Sequence, residues 1–192
     1  MKKRSDCDFS KHVLITEINP RFRIHWLKLP DTTNFNVKFT NIDEVLLVTG
    51  DFGRWTFCRE FWPSASSEGI SDGYWCDKLQ TWSTQNAMVW DYDTAIEELE
   101  ELKKEYTIAD GYDDRIHEWI DNCIIAIGDK YDFVPAIRNL HYASDIEYED
   151  LPNGEIIEPT LAIIFDAFEE ICERIKKSEN EGRGNRENDK RK

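Results

Sequence analysis

The stretch VTGDFGRWTFCREFWPSASSEGISDGYWCDKLQTW, residues Val48–Trp82, decides how the chain is read. It holds four of the seven tryptophans, Trp55, Trp62, Trp75 and Trp82. Gly50-Asp51-Phe52-Gly53 is a turn signal, because glycine reaches positive φ cheaply and aspartate bonds its own backbone. Trp55, Phe57, Arg59 and Phe61 then alternate with Thr56, Cys58 and Glu60, the period of a strand with one aromatic face. Pro63 ends that strand, and Ser64 to Gly69 is a loop of small residues. Ser71 is placed as a helix N-cap, with Asp72 in the first turn where the helix dipole favours negative charge. Trp75, Leu79 and Trp82 follow at helical spacing. The stretch therefore reads as strand, loop and short helix with indoles directed at one core.

On the N-terminal side the pattern is strand-like. His12 to Ile18 and Phe22 to Leu29 read as two strands joined at Asn19-Pro20. Phe35, Val37 and Phe39 alternate with Asn34, Asn36 and Lys38, the signature of a half-buried strand, and Val45 to Val48 is a short apolar run. Together with the Arg54 to Phe61 strand these make an antiparallel meander of about five strands.

On the C-terminal side the period becomes helical. Asp93 is placed as the cap of a helix over Thr94 to Tyr106, with Ile96, Leu99 and Leu102 inward. Asp113 or Asp114 opens a second helix with a stripe of Ile116, Trp119, Ile120, Cys123, Ile124 and Ile127. Asp132 is placed as the cap of a third, over Phe133 to His141. Pro159 opens the last, whose Leu161, Ile164, Phe165, Phe168, Ile171, Cys172 and Ile175 face one way. Strands followed by helices imply an α+β fold, with four to five helices packed on one face of the meander and Trp55, Phe57, Trp75, Trp119 and Phe165 between the layers. Residues 1–178 read as a single domain and residues 179–192 as a disordered, charged tail.

Composition bounds the function. The 192 residues carry a formal net charge of −15. That balance argues against direct nucleic-acid binding, which needs a basic footprint, and allows an acidic surface that docks on a basic groove of another protein. The five cysteines are scattered with no CxxC, so neither a zinc ribbon nor a redox motif is indicated, and the four histidines lack metal-ligand spacing. No apolar run is long enough to span a bilayer and no signal-peptide pattern follows Met1, so a cytoplasmic protein without membrane contact or cofactor is expected.

Two sets of residues are candidates for function. The first is acidic. Ten Asp or Glu lie between Asp91 and Arg115, and six between Asp145 and Glu158. Glu97, Glu98, Glu100 and Glu101 on the helix, with Asp145, Glu147, Glu149 and Asp150 in the connection, form rows of carboxylates that imitate a phosphate backbone; a solvated face is the plainer account of the same residues. The second set is Asp51, Arg54, Arg59 and Asp72. Carboxylates converging with arginines suit acid–base work or phosphate binding, as in a small hydrolase or nucleotide-binding protein, and suit a structural ion pair equally well. Asp51-Phe52-Gly53 spells a kinase metal-binding tripeptide, but no Gly-rich phosphate loop or catalytic loop accompanies it.

LVTGDFGRWTFCREFWPS (Leu47–Ser64), SDGYWCDKL (Ser71–Leu79) and IFDAFEEIC (Ile164–Cys172) resemble a family of uncharacterised proteins encoded by bacteriophages and prophages. The resemblance covers the middle and end of the chain and brings no assigned chemistry. It implies a small accessory phage protein in the cytoplasm of a bacterial host, of a kind that acts on host machinery or defence. The expectation that follows is an acidic interaction protein that blocks the basic channel of a host nucleic-acid-binding factor, with a CRISPR effector as the concrete candidate.

Overall fold

A computed structural model of the chain describes residues 4–58, 62–67, 69–80, 87–108, 114–144 and 146–189, with backbone alone for 107, 108, 114 and 182–189. Strands β1 (Val13–Ile18), β2 (Phe22–Lys28), β3 (Val37–Ile42), β4 (Val45–Gly50) and β5 (Trp55–Phe57) form one antiparallel sheet in sequential order. Helices α1 (Asp72–Lys78), α2 (Tyr92–Ile108), α3 (Asp114–Ala126), α4 (Lys130–Ala143) and α5 (Pro159–Asp189) follow, so the fold is α+β. A small sheet of β6 (Met88–Trp90) and β7 (Glu155–Ile157) was not apparent in the sequence pattern, since three residues are too few to show a period.

The chain divides into two compact units. One comprises Met1–Ala87 and Ile157–Lys192, the other Met88–Ile156. Each has its own apolar core. In the first, the inner face of the sheet contributes Leu27, Val37, Phe39, Leu46, Val48, Trp55 and Phe57, α1 contributes Trp75, and α5 contributes Leu161, Ile164, Phe165, Phe168 and Ile171. In the second, Leu99 and Leu102 of α2, Ile120 and Cys123 of α3, and Phe133, Ile137 and Leu140 of α4 pack together. Trp119 packs against this second core, not among Trp55, Phe57, Trp75 and Phe165. Its helical stripe is real, but the stripe belongs to a different core.

Local chemistry sets the boundaries. The Ser71 hydroxyl accepts from Tyr74 N–H and caps α1 as expected. Asp129, three residues before the expected cap, accepts from Tyr131 and Asp132 N–H and starts α4. Phe35 lies outside β3, with φ of 55° and its side chain exposed, because the strand begins only at Val37. Gly50 ends β4 at φ 142°, where a Cβ would lie 2.0 Å from Asn36 O, so no other residue fits. The α5 helix runs through Asp189, and an i,i+4 Glu173–Lys177 pair lies along it.

Buried carboxylates fasten the N-terminal arm to α5. Asp166, 4% exposed, accepts from Ser5 N–H at 2.8 Å, Ser5 Oγ at 2.7 Å and Arg4 N–H at 3.1 Å. Arg4 also pairs with Asp72 at 2.5 Å. Further along the helix, Arg174 donates to the carbonyls of His12 and Phe9 at 2.6 and 2.7 Å. Replacing Asp166 by alanine leaves several buried donors unanswered, and a loss on the order of 3 kcal/mol is expected in urea denaturation.

His25 lies on the inner face of the sheet, opposite Thr16 and Phe39, and its Nδ1 has no hydrogen-bond partner among the described residues. Burial, with the Arg23 charge second, lowers its pKa from 6.5 to about 4. Above pH 6.5 neither folded nor unfolded chain binds this proton. Between pH 6.5 and 4 the unfolded chain takes it up and the folded one does not, so stability falls by on the order of 3 kcal/mol, and below pH 4 the loss is complete. His25→Leu is expected to flatten the acid limb of the melting temperature against pH within that window, relative to the parent protein.

Candidate functional site

Charge is distributed very unevenly between the two units. Residues 88–156 hold 19 Asp or Glu and 5 Lys or Arg, a net of −14. The remainder of the chain holds 20 acids and 19 bases, a net of −1. Nearly the whole excess of negative charge therefore belongs to one unit of 69 residues. The first candidate set lies in it entirely.

The backbone of α2 orders the first row. Asp91 caps the helix, its carboxylate accepting from Thr94 N–H at 2.8 Å, which holds its pKa below the ordinary carboxylate value. The cap thus sits two residues before Asp93, the expected position. With Ala95, Leu99 and Leu102 buried, the helical period puts Glu97, Glu100, Glu101 and Glu105 in solvent. Lys103 is drawn away to Asp121 of α3 at 2.5 Å, leaving Lys104 as the exposed base in this part of the helix.

Glu98 differs from its neighbours. Its carboxylate accepts from Asn153 N–H at 3.1 Å and Gly154 N–H at 2.8 Å, tying α2 to the turn before β7. Gly154 has φ of 62°, and a Cβ there would lie 2.6 Å from Trp90 Nε1 and 2.8 Å from Ala95 Cβ. Glu98 is thus a strut within the unit, not part of its outward row. Glu147, Glu149 and Asp150 are exposed around a 3-10 turn, Tyr148–Asp150. The segment is anchored by buried Ile146, whose carbonyl lies 2.9 Å from His141 Nδ1. Asp145 lies outside the described residues.

Sequence reasoning did not register the tyrosines of this unit. Tyr131 is 87% exposed, Tyr142 78% and Tyr148 60%, and Tyr92 is exposed at the start of α2. Their signal was present: Tyr131 and Tyr142 fall off the Phe133, Ile137, Leu140 stripe of α4, so the helix must turn them outward. Beside Tyr148 lies an open cleft of about 330 Å³ whose lining includes Trp90, Phe133, Val134 and Pro152, with Glu149 and Glu155 also on it. Tyrosine is among the residues enriched at protein interfaces.

Of the second candidate set, Asp51, Arg54 and Asp72 lie among the described residues. Asp51 accepts from Asn36 N–H at 2.9 Å and Nδ2 at 2.7 Å, bracing the turn before β3. Arg54 is exposed, and Asp72 is paired with Arg4. Among the described residues no hydrogen bond or ion pair joins Asp51, Arg54 and Asp72. Arg59 lies outside the described residues. Among the described residues there is also no group of three or more His, Cys, Asp or Glu arranged to hold a metal, and no helix long and apolar enough to cross a membrane. Cys123 is a buried core thiol whose pKa burial pushes up to about 11, far from a reactive thiolate.

No family model, curated protein or solved structure matches this chain.

The separation of struts from outward acids is measurable. Gly154→Ala is expected to lower stability by about 2 kcal/mol or more, from forced left-handed backbone and a clash with Trp90. Glu98→Ala should cost about 1–2 kcal/mol, and Glu97→Ala no more than about 0.5 kcal/mol. Urea denaturation of the three variants checks the ordering.

Proposed function

We propose that the protein is an acidic interaction protein whose Met88–Ile156 unit docks on the basic nucleic-acid-binding surface of another protein and blocks it. The observation that carries this reading is the concentration of a net −14 in that unit, against −1 for the rest of the chain. Glu97, Glu100, Glu101, Glu147, Glu149 and Asp150 are the exposed carboxylates that stand in for phosphates, with Asp145 as a seventh member from the sequence. Exposed Tyr131, Tyr142 and Tyr148 supply rigid apolar contact area that carboxylates alone lack. The resemblance to phage-encoded proteins supplies the setting: a bacterial host, with a defence nuclease of the CRISPR class as the concrete partner. Opposite charges steer encounter and make the complex sensitive to salt.

The test is capture from bacterial lysate by the tagged protein and by a Glu97→Gln, Glu100→Gln, Glu101→Gln variant, at low and high salt. Bound proteins are expected to be nucleic-acid-binding proteins, to be displaced by added duplex DNA or RNA, and to bind the variant at least tenfold more weakly. Binding that ignores both salt and the three substitutions would remove this reading.

A further inference from the structure

The five-stranded sheet has a second face. Its inner positions are filled by the core of the first unit; the alternate positions point the other way. By register these form rows across the sheet: Val13 with Lys28; Ile15 with Trp26, Lys38 and Thr49; Glu17 with Ile24, Thr40, Leu47 and Thr56; and Phe22 with Ile42 and Val45. Eight of these fourteen side chains, Val13, Ile15, Phe22, Ile24, Trp26, Ile42, Val45 and Leu47, are apolar. Yet Val13 is 42% exposed, Ile15 43% and Ile42 39%.

The charges on this face are ordered along the strands. Lys28 and Lys38 lie toward one end, their Nζ atoms 5.0 and 5.7 Å from the Trp26 ring centroid. The turns at that end add exposed Lys11 and Arg54 against Asp31 and Asp51, and Glu17 lies toward the other end, where exposed Asp43 and Glu44 share a hollow with Arg21 and Arg23. A face basic at one end, acidic at the other and apolar between is complementary to its own copy turned end for end.

We propose that this outer sheet face is a homodimer interface, formed by a two-fold axis lying in the interface and perpendicular to the strands. That operation places β1 over β1 with reversed direction, and brings Glu17 of each copy toward Lys28 of the other, with Ile15, Ile24, Trp26 and Leu47 between the sheets. An axis along the strands would set lysines over lysines and is disfavoured. Strands about 4.8 Å apart that rise about 3.4 Å per residue give a face on the order of 500 Å² per copy. About 1,000 Å² over two copies is near the lower edge of specific interfaces, so a reversible dimer of moderate affinity follows. This inference is independent of the acidic unit and of its partner.

Sedimentation equilibrium over a concentration series into the high micromolar range tests it. The parent protein should approach twice the chain mass of 22.7 kDa. Glu17→Lys and Lys28→Glu should each weaken the dimer at least tenfold, and the double variant should recover most of the loss. Ile15→Glu should leave a monomer, with circular dichroism confirming that it folds. A parent protein that stays monomeric throughout, a dimer unmoved by Ile15→Glu, or a double variant no better than the singles would each overturn the proposal.

Discussion

A seven-residue helix has too few turns to persist by itself in water, and α1 buries a single side chain. Trp75 is completely buried. Its indole stacks on Phe165 at 4.7 Å and meets Phe168 and Phe57 edge-on, both at 4.9 Å. Phe168 in turn meets Phe39 of β3 at 5.6 Å. One indole thereby joins α1, the last strand of the sheet and α5, elements far apart in sequence. Aromatic pairs in these geometries contribute about 0.5–1.5 kcal/mol each beyond the area they bury. The inner face of the sheet and the apolar stripe of α5 meet at this ring.

The same residue types serve opposite ends in the two units. Asp166 and Glu169 are buried on α5, and each accepts from backbone N–H groups that would otherwise be unsatisfied: those of Arg4 and Ser5, and that of Gly69. A buried carboxylate is tolerable only when such donors or a cation answer it. In the Met88–Ile156 unit, Glu98 and Asp91 likewise accept from backbone N–H groups, while most of the other acids described point to solvent. Whether an acid is structural or available depends on the orphan donor beside it, and orphan donors come from turns and helix starts.

That dependence explains what was legible in the sequence. The strands of the meander, the α5 stripe and the helices of the second unit were written in apolar periodicity, which is local. The Ser71 cap was local as well. Asp129 and Asp91 were misplaced by two or three residues, because several aspartates precede each helix and only backbone geometry selects among them. The struts Asp166 and Glu98 were invisible for a different reason: their partners are 161 and 56 residues away. Trp119 was assigned to the wrong core, since a stripe shows that a face is buried without showing against what. The acidic rows were seen, but their confinement to one unit depends on where the chain divides, and contact topology decides that.

Solubility by itself does not account for where the charge lies. A net charge of magnitude about 2–8 keeps a small domain soluble. The Met88–Ile156 unit carries −14, while the larger remainder, with an exposed sheet face, carries −1. Packing this many like charges on one small core costs stability through self-repulsion, opposed in this unit by the Lys103–Asp121 pair, the carboxylate struts and the buried side chains of α2, α3 and α4. Under the proposed docking on a basic surface, the opposite charge of the partner would relieve that repulsion, and the cost in the free protein would reappear as affinity.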